Sequence, residues 1–362
     1  MRKKILSLPD PIVGSWPEHN YLLSMLQSEE TGYDWIMNMY VQTYGSRYTV
    51  EGSFDETRLT FYPYGNQNFK TGVYDVCPMI FEFRIPREII LNKYSTFLEF
   101  VMESIDSGRY MSVMLERTAL SGVYIDELAP EERLKYEYYP HAINIYGYDL
   151  ERKVIHCVDH FEHGIYSKKE IPIEYFEHAF YITGLPDGVG YYESQVRLYS
   201  VESNYKHKFN KDILIQLLEE YCNPIKKIDY LYIYVTTPYE KTNNEVKFGV
   251  EAYELLIGYL ERYIEDCEDT LDLRSISYLH DHKKLMRLRV EYLMEHKYIE
   301  DDIQLLDRFK ELEMRTIQLS KLGIKARMSK KERHIRRIIE VIEEIKQEDR
   351  LLINELIDRL KK

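Results

Sequence analysis

The 362-residue chain contains no apolar run approaching the ~18 residues that a membrane-spanning helix needs, so no such helix is expected. Cysteine is scarce. Cys77, Cys157, Cys222 and Cys267 are too few and too scattered for a disulfide framework, and none forms a CxxC zinc pair. Gly-rich phosphate loops of the GxxxxGK[ST] or GxGxxG form are missing, which disfavours nucleotide-dependent ligation. The nearest lookalike, Pro186-Asp187-Gly188-Val189-Gly190, reads as a turn. There is no G-x-S-x-G nucleophile elbow. Residues 1–10 are basic without a long apolar stretch, so the expectation is a cytoplasmic protein with reduced thiols and no secretory signal. The net charge of −13 lacks the basic footprint that nucleic acid demands.

What is present divides unevenly. Residues 1–205 hold 18 basic and 30 acidic residues and 23 of the 34 tyrosines, whereas residues 206–362 hold 30 basic and 31 acidic residues. This points to an α+β fold: a mixed domain over 1–205 and a helical domain over 206–362. In the first part, Ser15-Trp16-Pro17-Glu18 has the form of a capping box with Ser15 as N-cap. A second helix is expected over 34–44, stopping at Gly45, and a third from Ile85 to about Gly108. Strands are expected over 110–115, 142–148 and 153–158, with a helix over 173–180. The second part reads as helices over 210–222, 248–266, 273–296, 300–321 and 330–361, with a strand over 230–236. Ile342, Ile345, Leu351, Leu352, Leu356 and Leu360 form an apolar stripe suited to a bundle or to a homodimer through this domain.

The most informative stretch runs from His141 to His160 and reads as two strands joined by a polar turn near residue 150. Folding about that turn sets His141 opposite residue 159 or 160, within reach of Asp159, whose carboxylate would orient the imidazole as a general base. The alternative is a structural His–Asp bond at a sheet end. A metal site at His156, Cys157, Asp159, His160 and His163 is disfavoured, because alternation sends His156 and Cys157 to opposite faces. His280 and His282, two residues apart on a helix, are unable to chelate one ion together. No metal or cofactor is expected.

This hairpin, with its H-x-I-x-I-x-G-Y-D start at His141 and an Asp at the end of the next strand, resembles papain-like cysteine peptidases of the bacteriocin-leader-processing type. It is closer to the butirosin biosynthesis protein H-like family. The N-terminal helix, the Cys77-Pro78 loop, the Tyr110 strand and Gly164-Ile165-Tyr166-Ser167 follow the order of that family. The second half adds Phe248-Gly249-Val250-Glu251-Ala252-Tyr253 and Leu279-His280-Asp281-His282-Lys283-Lys284-Leu285-Met286. The resemblance implies a papain-like domain, an accessory role in nonribosomal peptide or polyketide biosynthesis, and acyl transfer from a carrier-protein thioester to a small-molecule acceptor. It also implies a nucleophilic Cys in the first turn of the N-terminal helix, directly after a His. Here the chain reads Glu18-His19-Asn20-Tyr21, so Asn20 takes that place.

Three alternatives follow from this departure. Cys77 acts as the nucleophile; Ser15 does so; or the site binds without catalysis, with His19 and Asn20 as binding residues and the protein a catalytically silent scaffold. A peptidase or amidase is a further alternative on the same fold. The final expectation is a basic patch, with Lys330, Lys331, Arg336 and Arg337 steering an acidic acyl or peptidyl carrier protein. Nucleic acid and membrane are not expected partners.

Overall fold

The computed structural model of the chain describes residues 2–48, 56–62, 77–120, 140–162, 165–183, 194–202, 204–224, 245–265 and 270–362. In chain order the elements are β1 (Lys3–Ile5), α1 (Pro17–Gln27), α2 (Glu30–Met39), β2 (Thr43–Tyr48), β3 (Glu56–Phe61), β4 (Ile80–Pro86), α3 (Arg87–Lys93), α4 (Phe97–Asp106) and β5 (Tyr110–Glu116). They continue with β6 (Pro140–Asp149), β7 (Val154–Glu162), β8 (Ile165–Pro172), α5 (Ile173–Ile182), β9 (Gln195–Val201), α6 (Lys211–Cys222), β10 (Glu245–Phe248), α7 (Tyr253–Glu265), α8 (Arg274–Glu295), α9 (Ile303–Ser329) and α10 (Glu332–Leu360). The fold is α+β, a mixed region with antiparallel sheets followed by a helical bundle. No helix among the described residues is long and apolar enough to cross a membrane.

Two compact units emerge, and neither is one continuous stretch. The first comprises Met1–Pro11, Asn20–Glu29 and Cys77–Lys206; the second comprises Ile12–His19, Glu30–Val76 and His207–Lys362. The sequence division at 205/206 marks only the last of these crossings.

The first unit is built on an antiparallel sheet of order β4-β9-β5-β6-β7-β8, with β1 also pairing β6. Alternate residues point to one face. Met111, Val113 and Leu115 from β5, Ile143 and Ile145 from β6, and Val196 and Leu198 from β9 share a core with Phe97, Phe100 and Val101 of α4 and Phe176 and Phe180 of α5. At ~25 cal/mol per Å² of apolar surface, such a row of fully buried aliphatic and aromatic side chains supplies the main stabilisation. Tyr21 of α1 packs edge-on against Tyr110 and Tyr199 and donates its hydroxyl hydrogen to the Ile145 carbonyl at 2.8 Å.

The second unit joins the small sheet β10-β2-β3 to the helices. α10 turns Ile335, Ile338, Ile342, Ile345, Leu352, Ile353 and Leu356 inward, the 3.6-residue stripe of a bundle helix. Leu351 departs from the expected stripe and is exposed, because its neighbour Leu352 already holds the inward position.

Several expected boundaries are corrected. α1 begins at Pro17, a favoured first helical residue, so Ser15 lies too early to cap it. The Gly14 and Ser15 backbone N–H groups instead donate to the Asp281 carboxylate at 3.0 and 2.7 Å. α2 ends at Met39 and Gly45 sits inside β2, because residues 43–48 are taken up by pairing with both β3 and β10. The expected single helix over 85–108 is two. α3 stops at Lys93, and Thr96 starts α4 afresh by accepting the Glu99 N–H. The turn at 186–190, the strand at 230–236, Cys267, His163 and Gly164 lie outside the described residues.

Candidate functional site

The β6–β7 hairpin pairs Asp149 with Val154, slips one residue at Tyr146, then pairs Ile145 with Cys157 and Asn144 with Val158. Continuing that register sets His141 level with Phe161, so Asp159 is its diagonal neighbour rather than its direct opposite, still within side-chain reach. His141 Nδ1 lies 2.8 Å from Asp159 Oδ2 and 3.1 Å from the Ala142 carbonyl oxygen. Two acceptors at Nδ1 assign the ring proton there and leave Nε2 as the basic nitrogen. The Asp159 side chain is 0% exposed and that of His141 31% exposed. A buried carboxylate therefore orients an imidazole that still meets solvent.

Burial pushes the His141 pKa down, but the charge and hydrogen bond of Asp159 outweigh it, and the net direction is up; Arg117 pulls the other way. The same carboxylate reaches further. Burial first, and then Asp159, push the Tyr166 phenol well up, while burial and then Tyr166 do the same to Tyr21. Asp159 and the residue adjoining Asn20 thus share one electrostatic neighbour. Ser167, paired with Asp159 across β7–β8, carries a buried hydroxyl with no hydrogen-bond partner among the described residues.

Cys77 does not join this cluster. It precedes β4, where Ile80 pairs with Val201 at the far end of β9, and its carbonyl accepts the Ile80 N–H in a tight turn. His141 pairs with Leu115, two residues beyond the Val113–Val196 pair towards the opposite end. Three strand spacings and several residues along the sheet separate them, roughly 20 Å or more. Burial also pushes the Cys77 thiol up to about 12. Its candidacy as the nucleophile is withdrawn on both counts. Cys157 is closer to Asp159 along β7 but fully buried in the core, and its pKa too is raised well above the ordinary thiol value by burial and then by Asp159.

Asn20 sits in α1, fully buried, with neither its amide nitrogen nor its amide oxygen hydrogen-bonded among the described residues. His19 belongs to the second unit. Its ring nitrogens engage Tyr40 Oη at 3.0 Å and Thr60 Oγ1 at 2.9 Å, so the ring has no nitrogen left for a ligand. Burial lowers its pKa to about 4. Lys330 and Lys331 are exposed at the α9–α10 turn, whereas Arg336 pairs with Glu332 and Arg337 with Glu340.

Much of the distinctive sequence pattern has a structural cause. A Cβ on Gly147 would meet the Lys4 carbonyl oxygen at 2.9 Å, where β1 lies against β6. Tyr148 donates to Asp106, and Asp149 accepts the N–H groups of Glu151 and Arg152 to close the hairpin turn. His156 faces Glu170 and Tyr146 while Cys157 lies in the core. Sequence reasoning named Tyr166 and Ser167 only within a family-like segment, with no role beside Asp159, and missed Arg117. The first two lie on β8, an edge strand whose Lys168-Lys169-Glu170 run hid its alternation.

The chain matches no family model and no curated protein.

Proposed function

We propose that the first unit is a papain-like domain that acts in acyl transfer from a carrier-protein thioester, with His141 as general base and without a covalent acyl-enzyme. The observation that carries this reading is the 2.8 Å contact between His141 Nδ1 and the fully buried Asp159. In this scheme His141 Nε2 takes the proton of an acceptor amine or hydroxyl as that group attacks the thioester carbonyl. The departing thiolate then recovers the proton. Asp159 holds the ring in its tautomer and stabilises the imidazolium. The direct route is favoured over a thiol route because Cys77 lies far along the sheet and Cys157 is sealed in the core.

The test is release of free thiol from a simple acyl thioester in the presence of amines, followed colorimetrically alongside intact mass. Turnover should fall by about 10²-fold or more in His141→Ala, with the protein mass unchanged throughout. A stable acyl adduct, or turnover indifferent to His141→Ala, would overturn the direct mechanism. One observation favours a second reading, a catalytically silent binding protein: Asn20 presents an unreactive amide where the resembling family carries sulfur. Absence of turnover together with retained binding of the thioester would select it.

A further inference from the structure

Along the long helices of the second unit many cations meet carboxylates. Arg287 meets Glu313 and Glu291, Arg308 meets Glu348 and Glu355, Arg315 meets Glu344, and Arg359 meets Asp302. Around the α9–α10 turn the pattern stops. Residues 321–337 hold eight Lys and Arg against Glu332 alone. Arg336 and Arg337 find glutamates; Lys321, Lys325, Arg327, Lys330, Lys331 and Arg333 have no acidic partner among the described residues.

Those unpaired cations converge. Lys330 adopts a left-handed conformation that folds α10 back on α9. The charges of Lys325 on one side of the turn, and of Lys331 and Arg333 on the other, all bear on the His334 ring, which is bonded to Ser329 Oγ at 2.8 Å. Among them two apolar side chains face solvent: Met328 is 82% exposed and Ile324 48%. An exposed methionine in a segment dense with unpaired cations costs hydration and self-repulsion that a partner surface would relieve.

The composition of the tip discriminates between occupants. Although the chain is 14% aromatic, residues 321–337 contain no Phe, Tyr or Trp. That removes the stacking platforms of single-stranded nucleic-acid binding and the interfacial anchors of membrane binding. Cations plus an adaptable Met and a branched Ile remain, which suit a protein surface combining carboxylates with an apolar seam.

We infer that the α9–α10 tip is a docking surface for an acidic amphipathic helix of a partner protein, with Met328 and Ile324 against its apolar seam and Lys325, Lys330, Lys331 and Arg333 against its carboxylates. This surface is independent of the acyl chemistry proposed for the first unit. Its cations also differ from the set expected from sequence, since Arg336 and Arg337 are already neutralised within α10.

The test uses the full chain and a designed acidic helical peptide carrying one leucine stripe, with a scrambled peptide of the same composition as control. Binding should weaken with salt, fall at least tenfold in the quadruple variant Lys325→Glu, Lys330→Glu, Lys331→Glu, Arg333→Glu, and fall again in Met328→Ser. Unaltered circular dichroism would show that the exposed substitutions leave the helices intact, and the His334 ring resonances should shift on binding to the wild-type chain. Equal affinity for the scrambled peptide would overturn the inference, as would insensitivity to Met328→Ser. Tighter binding to phosphatidylglycerol vesicles or duplex RNA than to the helix would do so as well.

Discussion

At Asn20 an amide is shut away from water with neither its nitrogen nor its oxygen hydrogen-bonded among the described residues, and the same helix buries Ser24 Oγ in the same condition one turn later. A buried polar group left unpaired costs about 1–3 kcal/mol, so Asn20→Cys, which trades the amide for a small weakly polar group, should raise the midpoint of denaturant unfolding. A lower midpoint would mean that the amide has a compensating role. The sequence located this position through its likeness to a nucleophile helix but gave no sign that the amide is unpartnered, which depends on what surrounds α1. His19, its neighbour, is held near pKa 4 by burial. Between pH 4 and 6.5 the unfolded chain binds a proton here that the folded chain refuses, so stability falls as pH drops through that window. The loss amounts to about 3 kcal/mol at its full extent. His19→Gln, able to keep bonds to Tyr40 and Thr60, should flatten the acid limb of a stability–pH curve, and an unchanged limb would contradict the assignment. His141 carries the opposite sign. Its pKa is raised in the folded chain, so the bond to Asp159 stabilises below the unfolded value and fades as pH rises through the folded one. Activity as a base needs the neutral ring and should therefore rise over the same interval. Asp159→Asn should move that limb to lower pH as well as lowering the rate.

Among the elements, α8 shows what the periodicity of a sequence reveals and what it hides. Its helical character was legible from apolar spacing, and so were α6, α7, α9 and α10, because each buries one stripe. The polar residues of its Leu279–Met286 segment were legible only as a family likeness, yet Asp281, His282 and Lys283 have physical tasks inside the second unit. Asp281 accepts the Gly14 and Ser15 N–H groups, His282 bonds the Val41 carbonyl at 2.8 Å, and Lys283 meets Asp349 at 2.5 Å with both side chains buried. Tyr221 and Tyr253 also donate to Asp349. Removing one partner of such a pair strands the other charge: Asp349→Ala should cost about 3–5 kcal/mol, while Lys283→Met with Asp349→Leu should recover most of it. Urea unfolding of the two single variants and the double variant measures this directly, and a double variant as unstable as the worse single would refute it. Gly249 in the other family-like segment has a simpler cause. Its φ is +54°, and a Cβ there would drive into the Tyr221 carbonyl oxygen. The strands β8 and β9 were not foreseen, because the first alternates among lysines at an exposed edge and the second is a short run interrupted by Arg197 and Ser200.

On the scale of the whole chain, the change in charge density near residue 206 was visible in composition, whereas the weaving of the two units was not. Composition averages over a window and is blind to strands that return from far away in sequence. β10 pairs with β2, and β2 with β3, so the C-terminal stretch completes its small sheet with residues 43–48 and 56–61. Arg289 of α8, fully buried, donates to the Met37 and Tyr40 carbonyls at 2.7 Å each, placing a cation at the C-terminal end of α2 where the helix dipole favours it. Cut at 206/207, residues 207–362 would retain α6 to α10 but lose β2, the strand paired with β10, and β3 beyond it, the acceptors for Arg289 and His282, and the Phe61 ring packed against Tyr278. A buried guanidinium deprived of its carbonyls is costly. The fragment should therefore keep helical far-ultraviolet dichroism while losing near-ultraviolet signal and cooperative unfolding. Adding back residues 12–76 in trans should restore part of both, because that stretch carries the missing strands and carbonyls. A fragment 207–362 that unfolds cooperatively at the midpoint of the intact chain would show that the helices need none of them, and that the contiguous division read from composition is the physical one.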